Sequence, residues 1–277
     1  MWEVLQYEFM RNALIAGALA SIACGIVGTY VIVKRIVFIS GGISHCAFGG
    51  IGLGYLLGID PILGALVFTL ASALGIGVIS KRTKQREDTA IGILWAVAMA
   101  LGVIFIGLSP GFPPDPFSIL FGNILTVPRT DIIVMLILDA FIISAVFLLH
   151  KELLAVSFDE EFAIVVGVPT ERLYFVLLSL IALTVVMLIK VVGIILMIAL
   201  LTIPAAISGQ FTHNLKRMIL LSTLLGAVFT ICGLWLSYAL DLASGATIVL
   251  VSGAAFTISS ILKACLEKPK QTHNNTV

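Results

Sequence analysis

The sequence predicts an all-α, polytopic membrane protein: a bundle of about nine (eight to nine) transmembrane helices with one short cytoplasmic helix. Three observations carry that prediction. Mean hydropathy is +1.17. Only 11% of the 277 residues are charged, against about 25% in soluble domains, so the chain has too few polar groups to cover itself in water. The apolar residues also gather in runs near the roughly 20 residues that one bilayer crossing needs. The net charge of +1 leaves no broad basic field for nucleic acid.

Nine runs are long enough, at about 13–33, 36–58, 62–80, 90–108, 132–149, 173–190, 192–209, 217–240 and 246–263. Lipid offers no hydrogen bonds to the backbone, so each run is read as helix. Residues 1–12 carry Glu3 and Glu8 and no early basic cluster, unlike a signal peptide. With Trp2 and Tyr7 they form an N-terminal segment suited to the interface. The sixth and seventh runs meet between Lys190 and Gly193 with almost no loop, and read as two spans or one broken span. Residues 13–265 form a single transmembrane domain, and 266–277 a polar tail.

Charge sets an orientation. Alternate loops hold Lys34 and Arg35; Lys81, Arg82, Lys84 and Arg86; Lys151 and Arg172; Lys216 and Arg217; then Lys263, Lys268 and Lys270. The opposite side has only Arg11, Arg129 and Lys190. The positive-inside bias puts the first set, and the C-terminus, in the cytoplasm, with the N-terminus outside. On the outer side, segment 109–131 places Pro110, Pro113, Pro114, Pro116 and Pro128 around the apolar stretch 117–125. It reads as a re-entrant cap or as a surface loop. Asp115 and Asp131 there form an acidic mouth or are ordinary solvated charges.

The cysteines Cys24, Cys46, Cys232 and Cys265 make no CxxC pair, and read as packing residues. No GxxxxGK[ST], HExxH or GxSxG occurs. The chain therefore reads as a non-enzyme with no ATP-binding loop of its own.

Four features remain as candidates. Segment 157–168 reads as a short isolated helix: Ser157 and Glu160 match a capping box, Asp159, Glu160 and Glu161 suit the first turn, and Gly167 and Pro169 supply the stop. It is built either to dock in a partner's groove or to lie on the membrane. His45 stands in an apolar run beside two small-residue stripes, Gly42-Cys46-Gly50-Gly54 and Gly41-Gly49, which suit close helix packing. A histidine there is either a metal ligand on a pathway or a hydrogen-bonded helix contact. Asp139 lies mid-run and has the same two readings. Pro204, in Thr202-Ile203-Pro204-Ala205-Ala206, is a gate or a fixed kink.

Taken together, these pieces resemble the membrane permeases of the zinc/manganese/iron family of ABC importers. The resemblance rests on Glu161-x-Ala163-x3-Gly167, on Ser44-His45 after Lys34-Arg35, and on Phe121-Gly122-Asn123-Ile124-Leu125. It also rests on Val192-Gly193-Ile194-Ile195-Leu196 through Pro204-Ala205-Ala206, Leu236-Ser237-Tyr238 and Gly245-Ala246, and covers essentially the whole chain.

The resemblance implies a permease domain for import of a divalent transition-metal ion (zinc, manganese or iron), working as a homodimer in a prokaryotic plasma membrane. It implies separate ATPase subunits docking at Glu160, Glu161, Ala163 and Gly167, with ATP bound on the partner. An extracytoplasmic metal-binding protein would deliver the ion, His45 would meet it, and no cofactor would be bound permanently. The family often has an aspartate four residues before this histidine, where this chain has Gly41; Asp139 is the substitute to consider. A chelate or cobalamin-like cargo, a stand-alone secondary metal transporter, and a structural membrane protein are the alternatives.

Overall fold

The structure, a computed structural model, describes residues 6–82, 87–110 and 116–266. Among them there is no strand. The helices are α1 (Glu8–Val33), α2 (Val37–Leu57), α3 (Pro61–Arg82), α4 (Glu87–Leu108), α5 (Pro116–Phe121) and α6 (Arg129–Leu148). There follow α7 (His150–Phe158), α8 (Glu160–Val165), α9 (Thr170–Phe211), α10 (Leu215–Leu240) and α11 (Ser244–Leu266). Eight of these are long and apolar enough to cross a membrane, and α5, α7 and α8 are not. The all-α polytopic prediction holds.

Eight such helices still make nine crossings, because α9 turns back on itself. Its 42 residues would run roughly 63 Å if straight, about twice the bilayer core. The helix breaks at Gly193, which has φ 76° and ψ 171°. Near the break, Lys190 Nζ meets Asp131 Oδ1, in the first turn of α6, at 2.9 Å. Gly193 itself lies against the backbone of Leu120, Phe121 and Gly122, at the end of α5. Both ends of α9 lie at the opposite end of the bundle. Thr170 follows α8, which the Lys34 Nζ–Glu160 Oε2 ion pair (2.9 Å) ties to the end of α1. A methyl at Gly209 would come 3.9 Å from Ile32, in the last turn of α1. Gln210 bonds Ser259 and Ser260 near the end of α11. The chain therefore rises to Gly193 and returns, and the sixth and seventh apolar runs are two antiparallel spans. The end holding Lys34, Lys151 and Lys216 is the basic end.

α9, α2 and α1 are the most buried crossings, and α3, α4, α6, α10 and α11 show most of their surface to lipid. Close approach is made by glycine. A Cβ at Gly49 would lie 2.7 Å from the Ala98 carbonyl, and one at Gly52 would lie 2.6 Å from the Gly102 carbonyl, both on α4. Gly50 and Gly54 face Gly64 and Pro61 of α3. The small residues that the sequence placed in adjacent stripes thus serve two neighbouring helices. Dispersion and interhelical contact replace the hydrophobic effect inside lipid, so small side chains at the seam are worth most there. Span hydroxyls bond the carbonyl one turn back, as Thr29 to Gly25 (2.7 Å) and Ser208 to Pro204 (2.8 Å).

The boundaries correct some expectations. α1 already begins at Glu8, so residues 8–12 are helical and continuous with the first apolar run. Trp2, Asp115 and the tail beyond Leu266 lie outside the described residues. Segment 109–131 yields α5 and a 3-10 turn at Ile124–Thr126, capped by Asn123, whose side chain accepts from the Leu125 N–H at 3.1 Å. Ser157 is not a helix cap: it sits inside α7, and Asp159 caps α8 by accepting from the Phe162 N–H at 2.8 Å. The shorter Asp side chain at the non-helical residue takes the N3 donor, which leaves no role for the Ser157 and Glu160 box.

Gly193→Ala places a methyl in the Gly122 backbone and adds a strained positive φ, worth about 1–3 kcal/mol alone. Its melting temperature in detergent should fall well below wild type. Gly41→Ala, which meets nothing within 4 Å, should melt like wild type.

Candidate functional site

The small residues of α2 settle its register. With Gly42, Gly49 and Gly52 turned to α4 and Gly50 and Gly54 to α3, His45 and Gly41 fall together on a more open face. His45 is half-buried, and its ring stacks on Trp95 of α4, with centroids 4.0 Å apart and planes 12° from parallel. Trp95 is itself held: its Nε1 donates to Met99 Sδ at 3.1 Å. The residue before His45 is fixed too, since Ser44 Oγ reaches the Ser40 carbonyl at 2.7 Å and Met197 Sδ of α9 at 3.8 Å. His45 Nδ1 is buried with no hydrogen-bond partner. Of the two readings of His45, the helix contact is therefore made by stacking, and Nδ1 stays available. A neutral imidazole nitrogen held in a fixed plane suits a transition-metal ion.

Asp139 is 3% exposed, and neither carboxylate oxygen has a hydrogen-bond partner. It sits on α6, which packs on α1 and α9, and Cys24 of α1 is its electrostatic neighbour. α2 packs chiefly on α3, α4 and α9. The structure therefore does not hydrogen-bond Asp139 to His45. Among the described residues no three His, Cys, Asp or Glu side chains gather into a metal-binding group.

The remaining candidates lie at the basic end and in α9. In α8, Ala163 is fully buried against the bundle, while Glu161, Phe162, Ile164, Val165 and Val166 are exposed. Gly167, at φ 85°, closes the helix: its N–H reaches the Ile164 carbonyl at 3.0 Å, and the Val168 N–H reaches the Ala163 carbonyl at 2.9 Å. Glu160 is turned back onto Lys34, so it anchors α8, whereas Glu161 points outward. Pro204 is buried inside helical backbone, and the break in α9 is at Gly193.

Three neighbours of the candidate residues escaped the sequence reading. Trp95 had no motif to mark it. Lys34 was read as a topology charge and as part of the family motif, but not as the partner of Glu160, 126 residues away. Gly122, at φ 62°, was seen within a motif but not as the seat for Gly193.

With this geometry in place, comparison with known proteins decides the family. The pattern of the ABC 3 transport family matches residues 6–263. The chain belongs to that family. It is 38% identical over 268 residues to the manganese transport system membrane protein MntC of Listeria monocytogenes, covering 97% of this chain and 94% of the relative. It is 49% identical over 259 residues to an uncharacterized membrane protein of Synechocystis, covering 94% and 92%. Among solved structures, PsaBC from Streptococcus pneumoniae in complex with Fab superposes with a TM-score of 0.84, at 37% identity and 93% coverage of both chains. As a member of the ABC 3 transport family, the chain is a membrane transport subunit.

Gly41 leaves room for the carboxylate its family resemblance leads one to expect. Gly41→Asp should fold normally and tighten zinc or manganese binding, measured by titration calorimetry on the purified protein. No gain in affinity would show that the two positions do not share an ion.

Proposed function

We propose that this chain is the permease of an ATP-driven importer for a divalent transition-metal ion, and that the ion passes His45. The observation that carries the reading is His45 itself: a fixed ring with an unpartnered nitrogen, on an open helix face, in a member of the ABC 3 transport family. Zinc or iron fits an imidazole better than calcium or magnesium does, and manganese also takes carboxylate oxygens. Relatives named for manganese transport favour manganese. Asp139 is a second proposed point of the path, between α1 and α6, off the His45 face.

The basic end faces the cytoplasm by the positive-inside bias, with the C-terminus inside. The location is a prokaryotic plasma membrane. Two copies of the chain form the pathway, an extracytoplasmic metal-binding protein docks near α5, and ATPase subunits dock under α8. Support for the ATPase site comes from the exposed apolar face of α8 beside Glu161. It comes also from a groove of about 640 Å³ between α7, α8 and the start of α10, lined by Leu154, Phe158, Phe162 and Leu215. The α8 anchor to Lys34, at the end of α1, offers a rigid link from that groove to the most buried crossings. ATP hydrolysis is the partner's, and the chain itself cycles between outward-open and inward-open states.

Proteoliposomes holding the chain with its ATPase should take up manganese only with ATP. His45→Ala should lower the rate by about tenfold or more, the scale of losing a metal-site group. Glu161→Lys should uncouple uptake from ATP while leaving metal binding intact. Uptake without any ATPase would contradict the mechanism, and full uptake by His45→Ala would remove His45 from the path.

A further inference from the structure

A second groove at the basic end opens along the span side of α6 and adjoins the groove under α7 and α8, with which it shares His150, Lys151 and Lys216. It opens between α1, the α6–α7 junction and α10, with a volume of about 760 Å³, within the 300–1,000 Å³ typical of ligand sites. Its composition changes sharply over one turn. On the span side it is walled by Ile143, Phe147 and Leu148, of which Phe147 is 81% and Leu148 77% exposed, with Ile26 and Ile219 behind them. On the other side, where α6 ends and α7 and α10 begin, it is rimmed by His150, Lys151, Glu152 and Lys216. Both lysines are exposed. Glu152 is half-buried, and its Oε2 is buried with no hydrogen-bond partner. Neither lysine makes an ion pair with Glu152 among the described residues.

We propose that this groove binds a phospholipid of the surrounding membrane, its phosphate between Lys151 and Lys216 and a headgroup hydrogen-bond donor on Glu152. The apolar wall is the surface for the acyl chains, since it is exposed at membrane depth and continuous with the lipid-facing side of α6. The cationic rim supplies what a phosphate needs at the interface. The orphaned Glu152 oxygen selects among headgroups, because a buried carboxylate oxygen without a donor is costly. An ethanolamine amine or a glycerol hydroxyl satisfies it, whereas a choline headgroup has no N–H or O–H to give. The site is independent of the cargo, and it lies at the foot of α6, one residue from α7, which leads into α8.

The test is native mass spectrometry of the full chain, assembled with its ATPase and released from detergent, after addition of phosphatidylethanolamine, phosphatidylglycerol or phosphatidylcholine. Ethanolamine and glycerol lipids should remain bound, and choline lipid should bind several-fold less. Lys151→Gln with Lys216→Gln should weaken retention roughly tenfold, while Arg35→Gln with Arg172→Gln, two exposed cations elsewhere, should not. Glu152→Gln should narrow the preference for ethanolamine over choline. Equal binding of all three lipids would overturn the proposal, as would equal loss in both double variants. So would adducts seen on the isolated chain that vanish on the assembled transporter, which would give the groove to a protein partner.

Discussion

Everything else in this fold depends on the contact between Gly193 and Gly122. A chain inside lipid cannot turn in the open, because the freed backbone groups would find no partner. Here the turn is made under a lid: the end of α5 and Gly122 behind it press their backbone against Gly193, and a side chain at either glycine would enter the other's peptide group. That one backbone contact sends the second half of α9 back alongside the first. It thereby fixes an odd number of crossings, brings Thr170 and Phe211 to one end, and sets α8 below the bundle. Moving the turn would move every later loop to the wrong side.

Around that frame, polar groups are handled with economy. Hydroxyls in the spans turn back to their own helix, as Thr184 does to Leu180 at 2.8 Å, and cost the lipid nothing. His45 and Asp139 are the ionisable exceptions within the spans, each with a buried atom left unpartnered, and the Tyr30 and Ser222 hydroxyls are unpartnered as well. Such groups cost about 1–3 kcal/mol apiece when nothing satisfies them, which makes the two ionisable ones candidates for a role beyond packing. His45 has the better geometry for an ion, since its ring plane is held by Trp95. At the basic end the same logic runs through charge: Lys34 holds Glu160, while Glu161 and the apolar face of α8 stay exposed.

Hydropathy made the spans legible, because a lipid solvent writes its demand into every run of residues. The identity of the outward glutamate was legible in motif form, and so was His45. What was hidden depended on residues far apart in the chain. Trp95 is an ordinary tryptophan until α4 lies on α2. The Lys34–Glu160 pair joins positions that no local pattern connects. One local reading also lost to a competitor nearby: Ser157 fitted a capping pattern, but Asp159 stood closer to the free N–H groups.

The most direct measurement is cysteine accessibility. In a chain whose Cys24, Cys46, Cys232 and Cys265 have been replaced, single cysteines at Thr130, Val166 and His213 would be labelled with a membrane-impermeant maleimide in intact cells and after lysis. The turn at Gly193 predicts that Thr130→Cys reacts in intact cells, and that Val166→Cys and His213→Cys react together, only after lysis. Val166→Cys and His213→Cys reacting from opposite sides would mean that α9 crosses once, and the account would be wrong at its root.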